Sequence, residues 1–197
     1  MLNTRIGLLA ASAVLLSGSQ GENKIGIIDQ VIVDFALIFF PIIFLIWQKK
    51  EPLKELGLYF TKPKNDIINS IILLVVLIAL SFLIAFFASF FIVNDIEKIY
   101  AQVQSIKESS PFFLAYLLVV RVIAEEIFFR GFLVKQTGAF FSTAVFSLAH
   151  VFYGSIMEVI GVFVLGFVLA KAFERNKTLI PNIVAHFLYN LINVLAL

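Results

Sequence analysis

Two adjacent glutamates lie in the middle of an apolar stretch of this chain. Glu125 and Glu126 fall within the run AYLLVVRVIAEEIFFRGFLV, which otherwise has the composition of a membrane-spanning helix. A charged side chain at that depth costs about +2.5–3.5 kcal/mol on insertion scales, so such residues are typical of functional sites. Three more polar residues lie in apolar segments further along the chain, namely His150, His186 and Asn190. We interpret these five positions as one site.

These five side chains are suited to activating water. They provide two carboxylates, two imidazoles and a carboxamide, but no Ser, Cys or Lys nucleophile. A glutamate can take a proton from water, a histidine can orient that water, and a second histidine with an asparagine can donate to an oxyanion. Alternatively, Glu125, His150 and His186 could ligate a divalent metal such as zinc, which lowers the pKa of bound water. Both alternatives predict hydrolysis of an amide or ester inside the membrane.

The composition indicates a polytopic α-helical membrane protein. The chain has 197 residues and is 61% hydrophobic, whereas soluble domains are roughly 45–50% apolar. Its 23 Phe residues indicate contact with lipid, and several apolar runs exceed the ~18 residues of a spanning helix. The absence of Cys excludes disulfides and thiolate metal sites. No basic stripe suggests nucleic acid, so the expected partners are the lipid bilayer and a peptide or membrane-protein substrate.

The apolar runs predict an all-α transmembrane bundle of about six to seven membrane helices. Residues 1–25 are either a signal peptide or an additional N-terminal helix, and both alternatives stay open. Residues 26–110 hold two spans with their loops, and residues 111–197 hold four. The predicted spans are 27–47, 67–93, 111–135, 138–153, 155–173 and 178–197. A polar connection, 94–110, separates the second span from the third.

Basic residues and helical rise place the site within the bilayer. Lys and Arg residues cluster in the loop 48–64 and at the ends of the third and fifth spans, which alternation puts on one side. That side should be cytoplasmic, in the cell membrane. At about 1.5 Å per residue, Glu125 is roughly 15 Å, His150 roughly 18 Å and His186 roughly 12 Å from it. Three helices therefore place polar groups in one slab, which we expect nearer the cytoplasmic side.

Two arginines flank the paired glutamates at helical spacing. Arg121 precedes Glu125 by four residues, and Arg130 follows Glu126 by four, so each carboxylate can pair along its own helix. Successive helical residues are about 100° apart, so the two glutamates cannot serve one partner equally. We expect one of them to face the site and the other to brace the helix.

Three motifs in the second half of the chain occur in the order of one known family. EEIFFRG at 125–131 resembles the EExxxR motif of the CPBP intramembrane proteases, the CAAX protease, Abi or bacteriocin-processing family. FSLAH at 146–150 resembles the FxxxH motif of that family, which includes the Ras-converting CAAX endopeptidases. TLIPNIVAHFLYNLI at 178–192 resembles the final HxxxN or HxxxD motif. The resemblance covers about residues 111–195.

The resemblance implies an intramembrane endopeptidase and gives roles to the matched positions. Glu125 would be the general base on water, and His150 would help to hold that water. His186 and Asn190 would stabilise the oxyanion. Two further motif residues would fix the helix and the water-binding geometry: Glu126 and Arg130. Residues 111–197 would form the catalytic core, and the mechanism would be metal-free or metal-dependent.

The same polar cluster also has a non-enzymatic interpretation. It could belong to a proton-coupled transporter or to a membrane scaffold without catalytic activity. Inverted repeats would favour a transporter, and the sequence shows none. A scaffold should tolerate replacement of Asn190, whereas an oxyanion site would lose roughly 100-fold or more in rate.

Overall fold

The chain folds into a bundle of helices. The computed structural model describes residues 27–90, 95 and 97–197, and every regular element in that part is helical. The predicted all-α membrane bundle is therefore confirmed, while the segment 1–25 lies outside the described residues. The helices are α1 (Ile27–Trp47), α2 (Pro52–Leu56), α3 (Pro63–Ala88), α4 (Glu97–Ser109), α5 (111–137), α6 (Ala139–Leu148), α7 (Ile156–Asn176) and α8 (Ile180–Ala196).

Three helices have the length and composition of membrane spans. In the described part of the chain, α1, α3 and α7 are each long and apolar enough to cross a bilayer. Ala139–Tyr153 and Ile180–Ala196 are shorter apolar segments, and α5 runs without a break beside them. Every predicted span thus corresponds to a helix. The second span begins earlier than predicted, at Pro63, because proline is well tolerated in the first turn of a helix.

The polar connection 94–110 contains a helix that the apolar pattern did not predict. α4 has no buried residue, so it lies on the surface of the bundle. Lys98 Nζ donates to the carbonyl of Gly154 at 3.1 Å, and Gln102 Nε2 donates to that of Tyr153 at 3.3 Å. Lys107 Nζ reaches the carbonyl of Val194 at 3.4 Å. α4 therefore crosses the bundle end where α7 begins and α8 finishes.

The opposite end of the bundle gathers the basic segments. Lys135 at the end of α5 donates to the backbone carbonyl of Glu55 in α2. Tyr59 Oη donates to the carbonyl of Lys177 at 3.0 Å, and Leu179 N–H donates to that of Gly57 at 2.8 Å. The loop 48–64 and the ends of α5 and α7 therefore share one side, as strict alternation of the spans requires.

The apolar core surrounds the middle of α5. Phe132 packs edge-on against Phe40 and Phe44 of α1, with ring centroids 5.8 and 5.5 Å apart. Phe129 packs against Phe146 of α6 at 4.8 Å. Many large apolar side chains on the outer faces of α1 and α3 are exposed, which is expected of surfaces in contact with lipid tails. α5 is thus the central helix, and it carries the paired glutamates.

Candidate active site

The helix that carries the glutamates changes its geometry at them. α5 contains two π-helical stretches, Leu117–Arg121 and Glu126–Leu133, separated by the α-helical turn Val122–Glu125. π-helical insertions are rare in proteins, and those that occur are often found at functional sites. Glu125 ends the α-helical turn and Glu126 begins the wider one. The two neighbours therefore enter different environments.

Glu126 lies at the centre of a buried polar cluster. Its side chain is 0% exposed, and its Oε1 lies 3.1 Å from Arg130 Nη1 and 2.9 Å from His186 Nδ1. Asn182 Nδ2 donates to Oε2 at 3.2 Å and to the carbonyl of Leu169 at 2.8 Å. Buried charges are tolerated where they are paired and hydrogen-bonded. Glu126 therefore joins α5 to α8 and has no face open to water.

Arg130 completes this cluster and extends it to α6 and α7. Its guanidinium carbon lies 4.1 Å from the ring centroid of Phe146, and Nη2 donates to the carbonyl of Gly166 at 3.5 Å. A Cβ at position 166 would lie 3.1 Å from that nitrogen and 3.0 Å from the Phe146 ring. The absence of a side chain at Gly166 therefore provides the space that the Arg130 guanidinium occupies. The ion pair expected from the spacing of Glu126 and Arg130 is present.

His186 is oriented by its carboxylate partner. Because an ionised carboxylate only accepts hydrogen bonds, His186 must donate through Nδ1–H to Glu126. Its Nε2 is then the nitrogen left for a substrate or a water molecule. The ring is nearly buried on α8, one turn after Asn182.

His150 is oriented in the same way by a backbone carbonyl. It lies two residues after Leu148, where α6 ends, and its Nδ1 lies 2.8 Å from the carbonyl oxygen of Phe146. A carbonyl oxygen only accepts, so the proton is on Nδ1 and Nε2 keeps its lone pair. The ring packs against Phe146 at 4.8 Å and Tyr153 at 5.5 Å. Both histidines therefore present Nε2 as the free nitrogen.

Glu125 is half-buried and lies within electrostatic range of His150. Its charge acts on His150, Arg121, Tyr153 and Glu158, which lie around it. It forms no ion pair with Arg121, which instead contacts a different helix. The structure therefore separates the glutamates, with Glu126 enclosed by Arg130 and His186, and Glu125 placed near His150.

The polar residues on one face of α8, at positions 182, 186 and 190, differ in whether they contact the buried cluster. Asn190 is half-buried, and its side chain forms no hydrogen bond within the described part of the chain. Asn182, which the sequence interpretation missed, is fully buried and contacts Glu126. Its position four residues before His186 was a usable signal, because 182, 186 and 190 share one helical face. α8 thus provides two contacts to the buried cluster and one unpaired amide.

The arrangement does not fit the metal alternative. No group of three His, Cys, Asp or Glu side chains in the described residues is placed to hold a metal ion. Glu125, His150 and His186 are therefore not assembled as a ligand set, although structural and catalytic zinc sites need three or four such ligands.

One comparison with known proteins bears on this site. A family model described as type II CAAX prenyl endopeptidase Rce1-like matches residues 107–192, slightly less than half of the chain. The match confirms the resemblance to the CAAX protease group and includes all three motifs. No curated protein and no solved structure gives a match.

Proposed function

Since residues 107–192 match the family model of the Rce1-like type II CAAX prenyl endopeptidases, we propose that the chain is an intramembrane endopeptidase with Glu125 as its base. The observation that carries the assignment is the difference between the two glutamates. Glu126 is enclosed by three polar partners and has no exposed surface. Glu125 is half-buried, and its charge acts on His150. A general base must be accessible to the water it deprotonates.

The orientation of His150 supports a role in holding the attacking water. One proton of the water moves to the Glu125 carboxylate, while the other stays on the water oxygen and is the donor of a hydrogen bond to the lone pair of His150 Nε2. The water oxygen then attacks the carbonyl carbon of the substrate and forms a tetrahedral oxyanion. The C–N bond breaks as the proton on Glu125 passes to the leaving nitrogen. The products are a carboxylic acid and an amine.

The oxyanion would be stabilised from α8. His186 donates to Glu126 through Nδ1, so it needs a second proton on Nε2 to donate to an oxyanion. The Glu126 carboxylate is the counter-ion for that form of the ring. Asn190 lies one turn further along α8, and its side-chain amide, which has no hydrogen bond among the described residues, is available as the second donor. Removing one oxyanion donor costs about 10²–10³-fold in kcat.

We propose that the end of the bundle that gathers the basic segments faces the cytoplasm, with the catalytic centre inside the cell membrane. The support is the gathering of Lys135, Lys177 and the loop 48–64 at one end of the bundle. Cytoplasmic ends carry such an excess of basic residues. The substrate class that the family name indicates is a prenylated CAAX tail, and another peptide or membrane-protein substrate would use the same chemistry.

Cleavage by purified protein in liposomes tests the proposal. The first probe is a quenched-fluorescent farnesylated CAAX peptide, assayed with the unaltered chain and with Glu125→Gln. The second compares the membrane proteomes of cells that carry these two forms. We expect cleavage of the peptide, or of a cellular protein, that Glu125→Gln abolishes. Arg175→Met, an exposed change at the end of α7, serves as the control.

Two results would overturn the proposal. One is full cleavage by Glu125→Gln. The other is the absence of any Glu125-dependent cleavage in both assays, and proton-coupled flux in the same liposomes would then favour a transporter.

A further inference from the structure

Arg121 joins three parts of the fold beside Glu125. Its Nε and Nη2 lie 3.4 and 3.2 Å from the carboxylate oxygens of Asp34 on α1. Its Nη1 lies 3.3 Å from the hydroxyl of Tyr153, in the turn Val151–Tyr153 after α6. A guanidinium is planar and rigid, so contacts to three of its nitrogens fix its orientation. α1 therefore holds Arg121 in place, and Arg121 contacts the turn.

Asp34, which holds Arg121, is itself buried and fixed by a second hydrogen bond. It is 1% exposed, and Tyr116 Oη donates to its Oδ2 at 3.1 Å. A buried carboxylate requires a counter-ion, because an unpaired charge in the interior is strongly destabilising. Arg121, with a side chain 20% exposed, is that counter-ion. The pair fixes the first half of α5 against α1.

The same guanidinium lies within electrostatic range of both the proposed base and the histidine proposed to hold water. Arg121 precedes Glu125 by one helical turn, and their charges act on each other. Tyr153 N–H donates to the carbonyl of His150 at 3.1 Å, and the two rings lie 5.5 Å apart. In the part of the chain that the structure describes, no other side-chain hydrogen bond joins α5 to this turn. Arg121 is thus the direct polar connection between the two elements.

We infer that Arg121, held by Asp34 and bonded to Tyr153, is a positioning residue that sets the distance between Glu125 and His150. The inference rests on the proposed function. None of the three residues belongs to the EExxxR, FxxxH or HxxxN motif. A misplacement of about 1 Å can cost on the order of 10²-fold in rate. Loss of Arg121 should therefore lower kcat and leave KM nearly unchanged.

A kinetic series tests this role with the farnesylated CAAX peptide in proteoliposomes. We expect Arg121→Met to lower kcat by about 100-fold with KM within a factor of about two. Arg121→Lys keeps the charge but loses the planar fork, so it should recover part of the rate. Tyr153→Phe should lower kcat less than Arg121→Met does, because the contact to Asp34 remains. Arg175→Met should match the unaltered protein.

A second measurement follows the turn itself without using activity. The chain has no Cys, so Phe152→Cys provides a single site for a nitroxide spin label on the exposed side of the turn. We expect the label to become more mobile in Arg121→Met and in Tyr153→Phe. Its spectrum should not change in Arg175→Met.

The outcomes separate this inference from the proposed function. If the unaltered protein cleaves neither the peptide nor a cellular substrate, the proposed function fails. If it cleaves and Arg121→Met has an unchanged kcat, the positioning role is refuted. An increase in KM at constant kcat would also overturn it, since Arg121 would then bind substrate. Unchanged label mobility in Arg121→Met would show that Arg121 does not hold the turn.

Discussion

Replacing each glutamate by glutamine should damage the protein in two different ways. Glu126→Gln keeps the shape of the side chain but removes its charge from a site with 0% exposure. The Arg130 guanidinium, 1% exposed, is then left without its counter-ion at 3.1 Å. Breaking a buried ion pair in this way costs about 3–5 kcal/mol. Since total stabilities are about 5–15 kcal/mol, this variant should be markedly less stable.

Glu125→Gln should instead remain folded and lose activity. The half-buried side chain of Glu125 forms no hydrogen bond or ion pair within the described residues. Because Glu125→Gln leaves no fully buried charge without its counter-ion, it should cost less stability than Glu126→Gln does. Loss of a general base lowers the rate by about 10²–10⁴-fold. Activity and stability are therefore expected to separate between two adjacent positions.

The assay combines unfolding with cleavage. Helix content in detergent is followed by circular dichroism during thermal or SDS unfolding, and cleavage is measured in liposomes. The double variant Glu126→Gln/Arg130→Met is the matched control, because removing both members of a buried pair is much less costly than removing one. It should recover part of the stability lost in Glu126→Gln. If Glu126→Gln is stable but inactive while Glu125→Gln cleaves normally, the two assigned roles are reversed.

Two further predictions concern a close contact between α5 and α2 and a carboxylate at the start of α7. Gly131→Ala would place a Cβ 2.7 Å from the backbone oxygen of Leu56, so we expect a loss of about 1–3 kcal/mol in unfolding experiments; Gly161→Ala, which meets no atom within 4 Å, should be nearly neutral. The Ile156 N–H, which donates to Asp95 at 2.7 Å, is the main cause holding the pKa of Asp95 below its usual range. The stabilisation by the ionised Asp95 carboxylate is therefore present above about pH 4 and is lost as the pH falls through the lowered pKa. In Asp95→Asn the unfolding temperature should lose this part of its pH dependence. Identical plots of unfolding temperature against pH for Asp95→Asn and the unaltered protein would contradict this prediction.

The spans were predictable because bilayer thickness dictates them. About 20 apolar residues are needed to cross the hydrocarbon core, so the runs that became α1, α3 and α7 are visible in the sequence. α4 was not visible in this way, since it lies on the bundle surface and its sequence is polar. The hydrogen bonds that hold it go to backbone carbonyls of the 153–154 turn, which carry no sequence signal.

Contacts between distant helices were the least predictable part of the site. Helical spacing shows which residues share a face, and on that basis it gave the pair Glu126–Arg130. The same spacing predicted an ion pair between Arg121 and Glu125, but the Arg121 guanidinium contacts Asp34 on α1 instead. Which helix lies opposite a given face is decided by packing of the whole bundle, and side-chain periodicity does not contain that information.

The division between the two glutamates also depends on the backbone of α5. A regular helix turns about 100° per residue, which separates Glu125 from Glu126 but does not say which of them faces the interior. The π-helical stretch that begins at Glu126 has i→i+5 hydrogen bonds and hence a wider turn. With that turn, Glu126 and Arg130 both lie in the interior, where they contact α8 and α7 respectively. Glu125, at the end of the α-helical turn, stays near His150. A change that restored regular α-helix from 126 to 133 should therefore disturb the buried pair before it disturbs the base.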